Sequence, residues 1–311
     1  MTQPLVSIIL PTYNGARFLR QSVDSCLKQT YRNIELIIVN DCSTDETPQI
    51  ADNYAAADNR VKVIHNARNL RLPASLNTGF AAAAGTYFTW TSDDNYYAPE
   101  AIAQMVAALE QQPDADLVYS DYTDIDEEGK IVGVKRPGDI NASRIKWIGC
   151  GACFLYKAAV HERNNGYNIA NFLVEDYDFF LRASLHSKFI YLQQPQLYFY
   201  RLHPASLTGT SASTVFELHK ILVERYIPQL LPHLGRQDRL LLYRKYAVHY
   251  AVNKSNTPKM NYYLGKLYSL SRPQTFVTAA YIIFRKFVTG IQVSVSALLG
   301  MLRLLLRGAE K

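Results

Sequence analysis

The sequence predicts an α/β protein whose mainly parallel sheet is flanked by helices and followed by a C-terminal helical extension. Over the first 120 or so residues, short apolar runs alternate with longer segments that carry apolar residues at helical spacing. Such alternation is typical of βαβ units, in which the strands pair in parallel. Beyond about residue 212 only helical patterns follow. We therefore expect a globular domain over residues 1–211 and a helical region over residues 212–311.

Five apolar runs of strand length account for the predicted sheet. In order along the chain they are LVSIILP, IELIIVND, VKVIH, YFTWT and ADLVYS. The second run is apolar nearly throughout, as expected for a strand that helices cover on both faces. Four helical patterns separate the runs: ARFLRQSVDSCLKQ, STDETPQIADNYAAA, LPASLNTGFAAAAG and PEAIAQMVAALEQQ. In the second pattern, Ser43 and Glu46 have capping-box spacing, which predicts that the helix begins there.

Polar residues follow three of the predicted strands at the point where each strand ends. They are Thr12, Tyr13 and Asn14, then Asn40 and Asp41, then Ser92, Asp93 and Asp94. In open parallel sheets, ligands bind in the crevice beyond the carboxyl ends of the strands. We therefore expect these side chains to meet at one edge of the sheet.

Asp93 and Asp94 are neighbouring like charges, which repel each other unless a cation lies beside them. The chain has no G-x-G-x-x-G motif after its first strand and no G-x-x-x-x-G-K-[ST] motif, which argues against a dinucleotide oxidoreductase and a P-loop enzyme. A divalent metal held by carboxylates is another way to neutralise phosphates. The alternative is a solvated turn whose aspartate caps the helix near Pro99. The shared edge of the sheet favours the metal site.

Three segments match a known family in order and at the expected distances. They are VSIILPTYNGARFLRQSVDSCLKQTYRNIELIIVNDCSTDET, SDDNYYAPEAI and VEDYDFFLR. With them, about residues 4–208 resemble glycosyltransferase family 2, the inverting nucleotide-sugar transferases of GT-A fold. The resemblance implies a Rossmann-like sheet and an enzyme that moves a sugar from a nucleotide to an acceptor.

The resemblance further implies a donor site. Its nucleotide-binding residues would be Pro11, Thr12, Tyr13, Asp41, Arg71 and Asp93. Asp41 would read the edge of the base, with an aromatic side chain against the ring, and Asp93 would face the ribose and the metal. Family members often read DSDD where this chain reads TSDD. Thr91 replaces the first acid, and it is the first position to test for an altered metal or nucleotide preference.

The metal site implied by the resemblance holds Mn²⁺ or Mg²⁺ between the carboxylates and the two phosphates. Its candidate ligands are Asp94, Asp93 and His203, the last from the segment YRLHPASLT. Asp94 is the principal ligand in this assignment. A single histidine can equally be a hydrogen-bonded structural residue, so both roles stay open for His203.

The segment VEDYDFFLR resembles the family's catalytic motif and places the base at Asp176. An inverting transfer needs one carboxylate to take the proton from the acceptor hydroxyl. Glu175 beside it would raise the pKa of the base or hold acceptor hydroxyls. The alternative for Glu175, Asp176 and Asp178 is the ordinary acidity of a helix start. The other motifs favour catalysis.

The four cysteines are too few and too scattered for a disulfide scaffold, which favours a reducing, cytosolic location. Cys150 and Cys153 form a C-x-x-C that could be half a zinc site or a redox pair. No second such motif accompanies it, so small residues in a tight segment are the favoured interpretation. The N-terminus, MTQPLVSIIL, lacks the basic region and cleavage site of a signal peptide.

The C-terminal region is strongly basic. Residues 236–311 hold 13 Lys and Arg against 2 Asp and Glu, so their net charge is +11 and that of residues 1–235 is −5. An amphipathic helix is predicted over about residues 274–307, with one narrow polar stripe: Arg285, Thr289, Gln292, Ser296, Gly300, Arg303 and Arg307. The 16 uncharged positions from Lys286 to Arg303 fall short of a membrane span. Membrane-surface binding is favoured over packing in an oligomer.

These observations predict an inverting, metal-dependent glycosyltransferase that uses a nucleotide sugar. The family favours a UDP-sugar, with dTDP- and GDP-sugars open. The acceptor would be a hydroxyl of a cell-surface polysaccharide or glycolipid of the cell envelope, built at the inner face of the membrane. One alternative is transfer to a polyprenyl phosphate, in which Asp176 would matter less. Another is a scaffold protein that binds nucleotide sugars without catalysis. A nucleic-acid partner would depend on the tail alone and is not expected.

Overall fold

The computed structural model describes residues 3–252 and 256–288. These residues divide into two compact units. The first unit runs to Ala142 and continues over Lys146–Ile227, and the second comprises Ser143–Ile145 and the described residues from Pro228 onward. The domain assignment made from the sequence, with its boundary after residue 211, stays a prediction.

The strands all belong to the first unit. They are β1 Val6–Thr12, β2 Ile34–Asn40, β3 Val61–His65, β4 Tyr87–Trp90, β5 Tyr96–Tyr97, β6 Leu117–Ser120, β7 Tyr122–Ile125, β8 Ile131–Lys135, β9 Phe154–Lys157, β10 Phe189–Leu192 and β11 Tyr198–Arg201. The five apolar runs of the sequence are β1, β2, β3, β4 and β6. The prediction of a mainly parallel sheet is confirmed.

The larger sheet has the strand order β10-β6-β9-β4-β1-β2-β3. Its neighbours pair in parallel except that β9 runs antiparallel to both β4 and β6. A smaller sheet has the order β5-β11-β7-β8. In the register of the larger sheet, Ile8 of β1 lies opposite Leu36 of β2 and Thr89 of β4. The carboxyl ends of β1, β2 and β4 therefore end at the same edge, as expected.

Helices follow or separate the strands and continue through the second unit. They are α1 Leu19–Leu27, α2 Thr47–Ala57, α3 Leu72–Ala81, α4 Ala101–Gln111, α5 Ala158–Arg163, α6 Glu175–Ala183, α7 Leu207–Leu230, α8 Arg236–Val252, α9 Thr257–Leu270 and α10 Arg272–Val288. Residues of β1 and β2 are buried throughout because helices cover both faces of the larger sheet.

The start of α2 differs from the capping box predicted at Ser43 and Glu46, so that prediction is wrong. The helix begins at Thr47, whose backbone N–H donates to the side chain of Asp45 at 3.0 Å. Ser43 Oγ instead accepts the backbone N–H of Asn14 at 2.9 Å. Ser43 therefore stabilises the loop after β1. The carboxylate of Asp45 accepts the backbone N–H at the start of α2, which has no partner within the helix.

The second unit packs α8, α9 and α10 against one another. Tyrosine rings fill its interior: Tyr246 and Tyr263 have ring centroids 5.2 Å apart, and Tyr250 stacks on Tyr263 with centroids 6.0 Å apart. Of the helix predicted over residues 274–307, the structure describes only the part within α10. The stripe residues from Thr289 to Arg307 lie outside the described residues. Within the described part of the chain, no helix is long and apolar enough to cross a membrane.

Candidate functional site

A cavity of about 540 Å³ opens beyond the carboxyl ends of β1, β2 and β4. Eight of the residues proposed for donor or metal binding line it: Pro11, Thr12, Tyr13, Asp41, Arg71, Asp93, Asp94 and His203. The proposed catalytic residues Glu175 and Asp176 are not among the residues that line it. The cavity thus gathers the donor-site candidates and leaves the proposed base outside its wall.

Asp93 lies against the backbone at the end of β1. Thr12 Oγ1 donates a hydrogen bond to Asp93 Oδ2 at 2.5 Å. A Cβ placed on Gly15 would lie 2.0 Å from that same oxygen, so only glycine permits this approach. Burial, reinforced by the charge of Asp94, raises the pKa of Asp93 to about 7. Asp93 is therefore held in a fixed orientation by Thr12 and Gly15.

Asp94 presents its carboxylate to the cavity in a different way. His203 Nε2 lies 2.9 Å from Asp94 Oδ2. The other oxygen, Oδ1, is buried and has no hydrogen-bond partner among the described residues. A buried carboxylate oxygen without a donor is costly. This atom is therefore suited to a cation supplied from outside the chain.

Asp41 orders the loop that leads into α3. Its carboxylate accepts hydrogen bonds from Asn66 Nδ2 and from the backbone N–H groups of Leu70 and Arg71, each at 2.8 Å. Arg71 has φ of 68°, a conformation that non-glycine residues rarely adopt. Its guanidinium lies 5.1 Å from the ring centroid of Phe172, and both side chains line the cavity. Asp41 thus positions Arg71 as well as facing the donor cavity.

Arg201 supports the site and was missed by the sequence analysis. It is buried, and its guanidinium donates to the backbone oxygens of Asp94, Asp126 and Glu127 at 2.7 to 3.1 Å. It also lies 4.4 Å from the ring centroid of Phe18, which lines the cavity. The only signal in the sequence is its place two residues before His203 in YRLHPASLT. Its partners are far away in sequence, so no local pattern could reveal them.

The proposed base lies at the start of α6. Glu175 is buried, and its Oε2 has no hydrogen-bond partner among the described residues. Burial raises the pKa of both Glu175 and Asp176. Leu173, two residues before Glu175, has φ of 77°, and such strain clusters at functional sites. Phe172 lines the cavity, and the proposed base Asp176 follows it four residues later in the chain.

The acids of the VEDYDFFLR motif have different surroundings. His219 of α7 favours the charged form of Asp176, which opposes the effect of burial on its pKa. His219 also stacks on Tyr177, with ring centroids 4.5 Å apart. Asp178 is fully buried and pairs with Arg182 at 2.8 Å and with the Tyr226 hydroxyl at 3.0 Å. Asp178 therefore has a structural role. Asp176 Oδ1 accepts the backbone N–H of Tyr177 at 2.6 Å, and Glu175 Oε2 has no hydrogen-bond partner among the described residues.

Thr91 precedes the acidic pair but lies outside the cavity lining. Its side chain is buried, and Oγ1 lies 2.7 Å from the hydroxyl of Tyr198. It is not among the residues that line the cavity. The hydroxyl of Thr91 therefore faces β11 rather than the cavity, and an effect of Thr91 on the metal or nucleotide preference stays a prediction.

Cys150 and Cys153 are buried free thiols, and Cys153 Sγ lies 3.9 Å from Met105 Sδ. Over residues 3–252 and 256–288, no three His, Cys, Asp or Glu side chains converge as a preformed metal cage. A magnesium-type site is different, since one or two protein carboxylates commonly share the ion with substrate phosphates. Asp94 with its open oxygen, and His203 beside it, fit such a shared site.

Comparison with known proteins identifies the family of the chain. The family model described as "Glycosyl transferase family 2" matches residues 7–172, which is more than half of the chain. The chain belongs to glycosyltransferase family 2. An uncharacterized glycosyltransferase of Rickettsia prowazekii is 31% identical over 69% of this chain and 69% of its own length. Another, from Rickettsia felis, is 39% identical over 44% of this chain, which spans only 23% of that longer protein.

Solved structures confirm the GT-A fold of this family 2 transferase. Staphylococcus aureus TarS, residues 1–349 in complex with UDP-GlcNAc, has a TM-score of 0.65 at 18% identity, covering 93% of each chain. The mannosyltransferase PcManGT from Pyrobaculum calidifontis, in complex with GDP-Man and Mn²⁺, has a TM-score of 0.60 at 18% identity. That match covers 99% of this chain and 80% of the other. At such identity the likeness concerns the fold.

Proposed function

We propose that this transferase moves a sugar from a nucleotide donor, with UDP-sugars favoured, to an acceptor hydroxyl with inversion at the anomeric carbon. The observation that carries the proposal is Asp94, whose buried Oδ1 has no partner in the described chain while His203 holds its Oδ2. The cavity of about 540 Å³ suits a nucleotide-sized ligand. Solved transferases of this fold bind UDP-GlcNAc or GDP-Man.

Asp94, assisted by His203, would hold Mn²⁺ or Mg²⁺, with Asp93 kept beside it by Thr12. When bound, such an ion offsets the negative charge of the departing diphosphate. Mn²⁺ is present with the donor in the PcManGT complex. Pro11, Thr12 and Tyr13 from β1, with Asp41 and Arg71, would surround the nucleotide, and Tyr13 is half exposed and available to a planar ring.

Asp176 would act as the base. It takes the proton of the acceptor hydroxyl as that oxygen bonds to the anomeric carbon, and the bond from this carbon to the diphosphate oxygen breaks. A raised pKa matches this task, because a base works best near the operating pH. Glu175, buried beside it, would hold acceptor hydroxyls.

A pair of variants tests these roles. Asp94→Asn should remove the dependence of UDP binding on Mn²⁺, measured by calorimetry with and without chelator. Asp176→Asn should keep that binding and lose turnover. Asp114→Asn, at an exposed acid outside the cavity lining, is the control. Wild-type binding that ignores chelator contradicts the metal site, and unchanged turnover by Asp176→Asn contradicts the base.

The acceptor and the location belong to the same proposal. We infer a growing polysaccharide or glycolipid of the cell envelope, reached at the inner face of the membrane through the C-terminal helices. The net charge of +11 over residues 236–311 supports contact with an anionic surface. If Asp176→Asn still transfers to a polyprenyl phosphate but not to a hydroxyl, the acceptor is the phosphate. If no nucleotide sugar is hydrolysed or transferred, the protein is a non-catalytic scaffold.

A further inference from the structure

Helix α10 has two different faces. Its inner face consists of Thr275, Thr278, Ala279 and Ile282, all buried within the second unit. Its outer face is apolar and exposed, and consists of Phe276, Val277, Ala280, Tyr281, Ile283 and Phe284. Phe276 is 47% exposed and Phe284 is 62% exposed. Two large aromatic rings on one exposed helix face require an explanation.

The outer face is continuous around the helix. At 100° per residue, its six side chains cover an arc of about 160° with no charged residue inside it. The buried residues fall on the opposite side of the helix. Arg272 and Arg285, both exposed, lie at the two borders of the apolar arc. An apolar face bordered by cations is typical of a helix that lies in the plane of a membrane surface.

The outer face of α10 could bind a lipid surface or a second copy of the chain, and the charge of the surrounding segment favours the lipid surface. The sequence from Asn256 to Val288 holds five Lys and Arg and no Asp or Glu: Lys259, Lys266, Arg272, Arg285 and Lys286. Self-association through α10 would bring together two such segments, each of which is cationic and contains no Asp or Glu in its sequence. An anionic lipid surface attracts the same cations.

We propose that the outer face of α10 docks onto an anionic lipid surface, with Phe276 and Phe284 inserted at the boundary between headgroups and acyl chains. This inference rests on the membrane contact proposed above and identifies the face and the lipid chemistry that produce it. Arg272 and Arg285 lie beside the phosphates, and the inner face stays packed in the second unit.

Vesicle binding by the full-length protein tests the docking face. The double variant Phe276→Ser/Phe284→Ser is compared with wild type on vesicles of phosphatidylcholine containing phosphatidylglycerol. We expect its partition coefficient to fall by about tenfold or more, because two aromatic rings no longer leave water. Phe216→Ser is the matched control, since Phe216 on α7 is 61% exposed and lies outside the second unit. Its partition should equal that of wild type.

Vesicles of phosphatidylcholine alone, and salt raised to about 0.5 M, should both weaken binding of wild type. If wild type binds but the double variant binds equally well, the inference about α10 is wrong and the membrane contact stands. If wild type does not bind vesicles, the α10 inference and the proposed membrane contact are both wrong. Turnover of the nucleotide sugar in solution tests the proposed transferase activity separately. If sedimentation shows a wild-type dimer that the double variant lacks, with vesicle binding unchanged, the face belongs to a second copy.

Discussion

His203 Nε2 lies 2.9 Å from Asp94 Oδ2, so one oxygen of this carboxylate is occupied while the other stays buried without a partner in the described chain. The imidazole therefore restrains the carboxylate of Asp94, a residue that lines the cavity. A histidine that orients a carboxylate in this way would support the proposed ion site whether or not it contacts the ion.

We expect His203→Ala to raise the Mn²⁺ concentration needed for half-maximal UDP binding by about 10-fold to 100-fold, because Asp94 loses its orienting partner. Titration calorimetry at several Mn²⁺ concentrations measures this shift. His65→Ala is the control: His65 Nε2 lies 2.9 Å from Asp52 Oδ1 in a second pair of the same kind, outside the cavity lining. An equal shift in both variants would contradict the role of His203.

Gly15→Ala should damage the donor site through contact with Asp93. The added methyl would lie 2.0 Å from Asp93 Oδ2 and 2.7 Å from Thr12 Oγ1, so the carboxylate must move. We expect about tenfold weaker UDP binding and a loss of about 1–3 kcal/mol in unfolding free energy. Gly265→Ala in α9 meets nothing within 4 Å and should stabilise the protein by about 0.5–1 kcal/mol. Unaltered UDP binding by Gly15→Ala would refute this packing argument.

Glu175 makes stability depend on pH. Burial raises its pKa from 4.5 to about 8. A carboxyl whose pKa is higher in the folded state contributes stability that is full below pH 4.5 and is lost as the pH rises through about 8. Glu175→Gln stays neutral throughout. We therefore expect its Tm, relative to wild type, to increase by about 3 °C or more between about pH 5 and pH 8.5.

Calorimetric melting at both pH values measures the Glu175 effect. Glu162→Gln, at an exposed glutamate of α5, should show the same Tm difference from wild type at the two pH values. A Tm difference for Glu175→Gln that does not change with pH would mean that Glu175 is not held neutral in the folded protein.

Substitutions at Asp176 and Asp178 should have different effects, one on turnover and the other on the free energy of unfolding. Asp178→Asn removes the charge that Arg182 pairs with at 2.8 Å in a buried site, which should cost about 3 kcal/mol of unfolding free energy. Asp176→Asn should lose turnover without lowering that free energy, because it removes a carboxyl whose pKa burial raises. Urea denaturation and a turnover assay on both variants make the comparison. Full stability of Asp178→Asn would show that the ion pair does not support α6.

The sequence predicted those parts of the fold that depend on local patterns. The runs that became β1, β2 and β4 were recognisable from their own residues, and parallel pairing then brought Thr12, Asp41 and Asp93 to one edge. The smaller sheet was not predicted, because β5 has only two residues and β11 pairs with a strand more than seventy positions earlier. Pairings of that separation leave no local pattern in composition.

The sequence predicted the donor and metal candidates that line the cavity, but it did not predict which residues they contact. The three acids of VEDYDFFLR look alike in sequence, and only the Tyr226 hydroxyl and Arg182 mark Asp178 as structural. Thr91 stands in the same TSDD segment as Asp93 and Asp94, yet its hydroxyl faces Tyr198. In each case the deciding partner comes from an element distant in sequence.

The contact between Arg201 and Asp94 limits when the cavity can be completed during synthesis of the chain. The Arg201 guanidinium donates to the backbone oxygen of Asp94 across 107 positions of chain, so this contact can form only after residue 201 has been synthesised. Synthesis proceeds from the N-terminus, so β1 to β4 emerge well before β11. A nascent chain that has exposed residues 7–172, the part matched by the family model, holds the central strands without this arginine. We expect the growing polypeptide to acquire donor affinity only once residue 201 has left the ribosome.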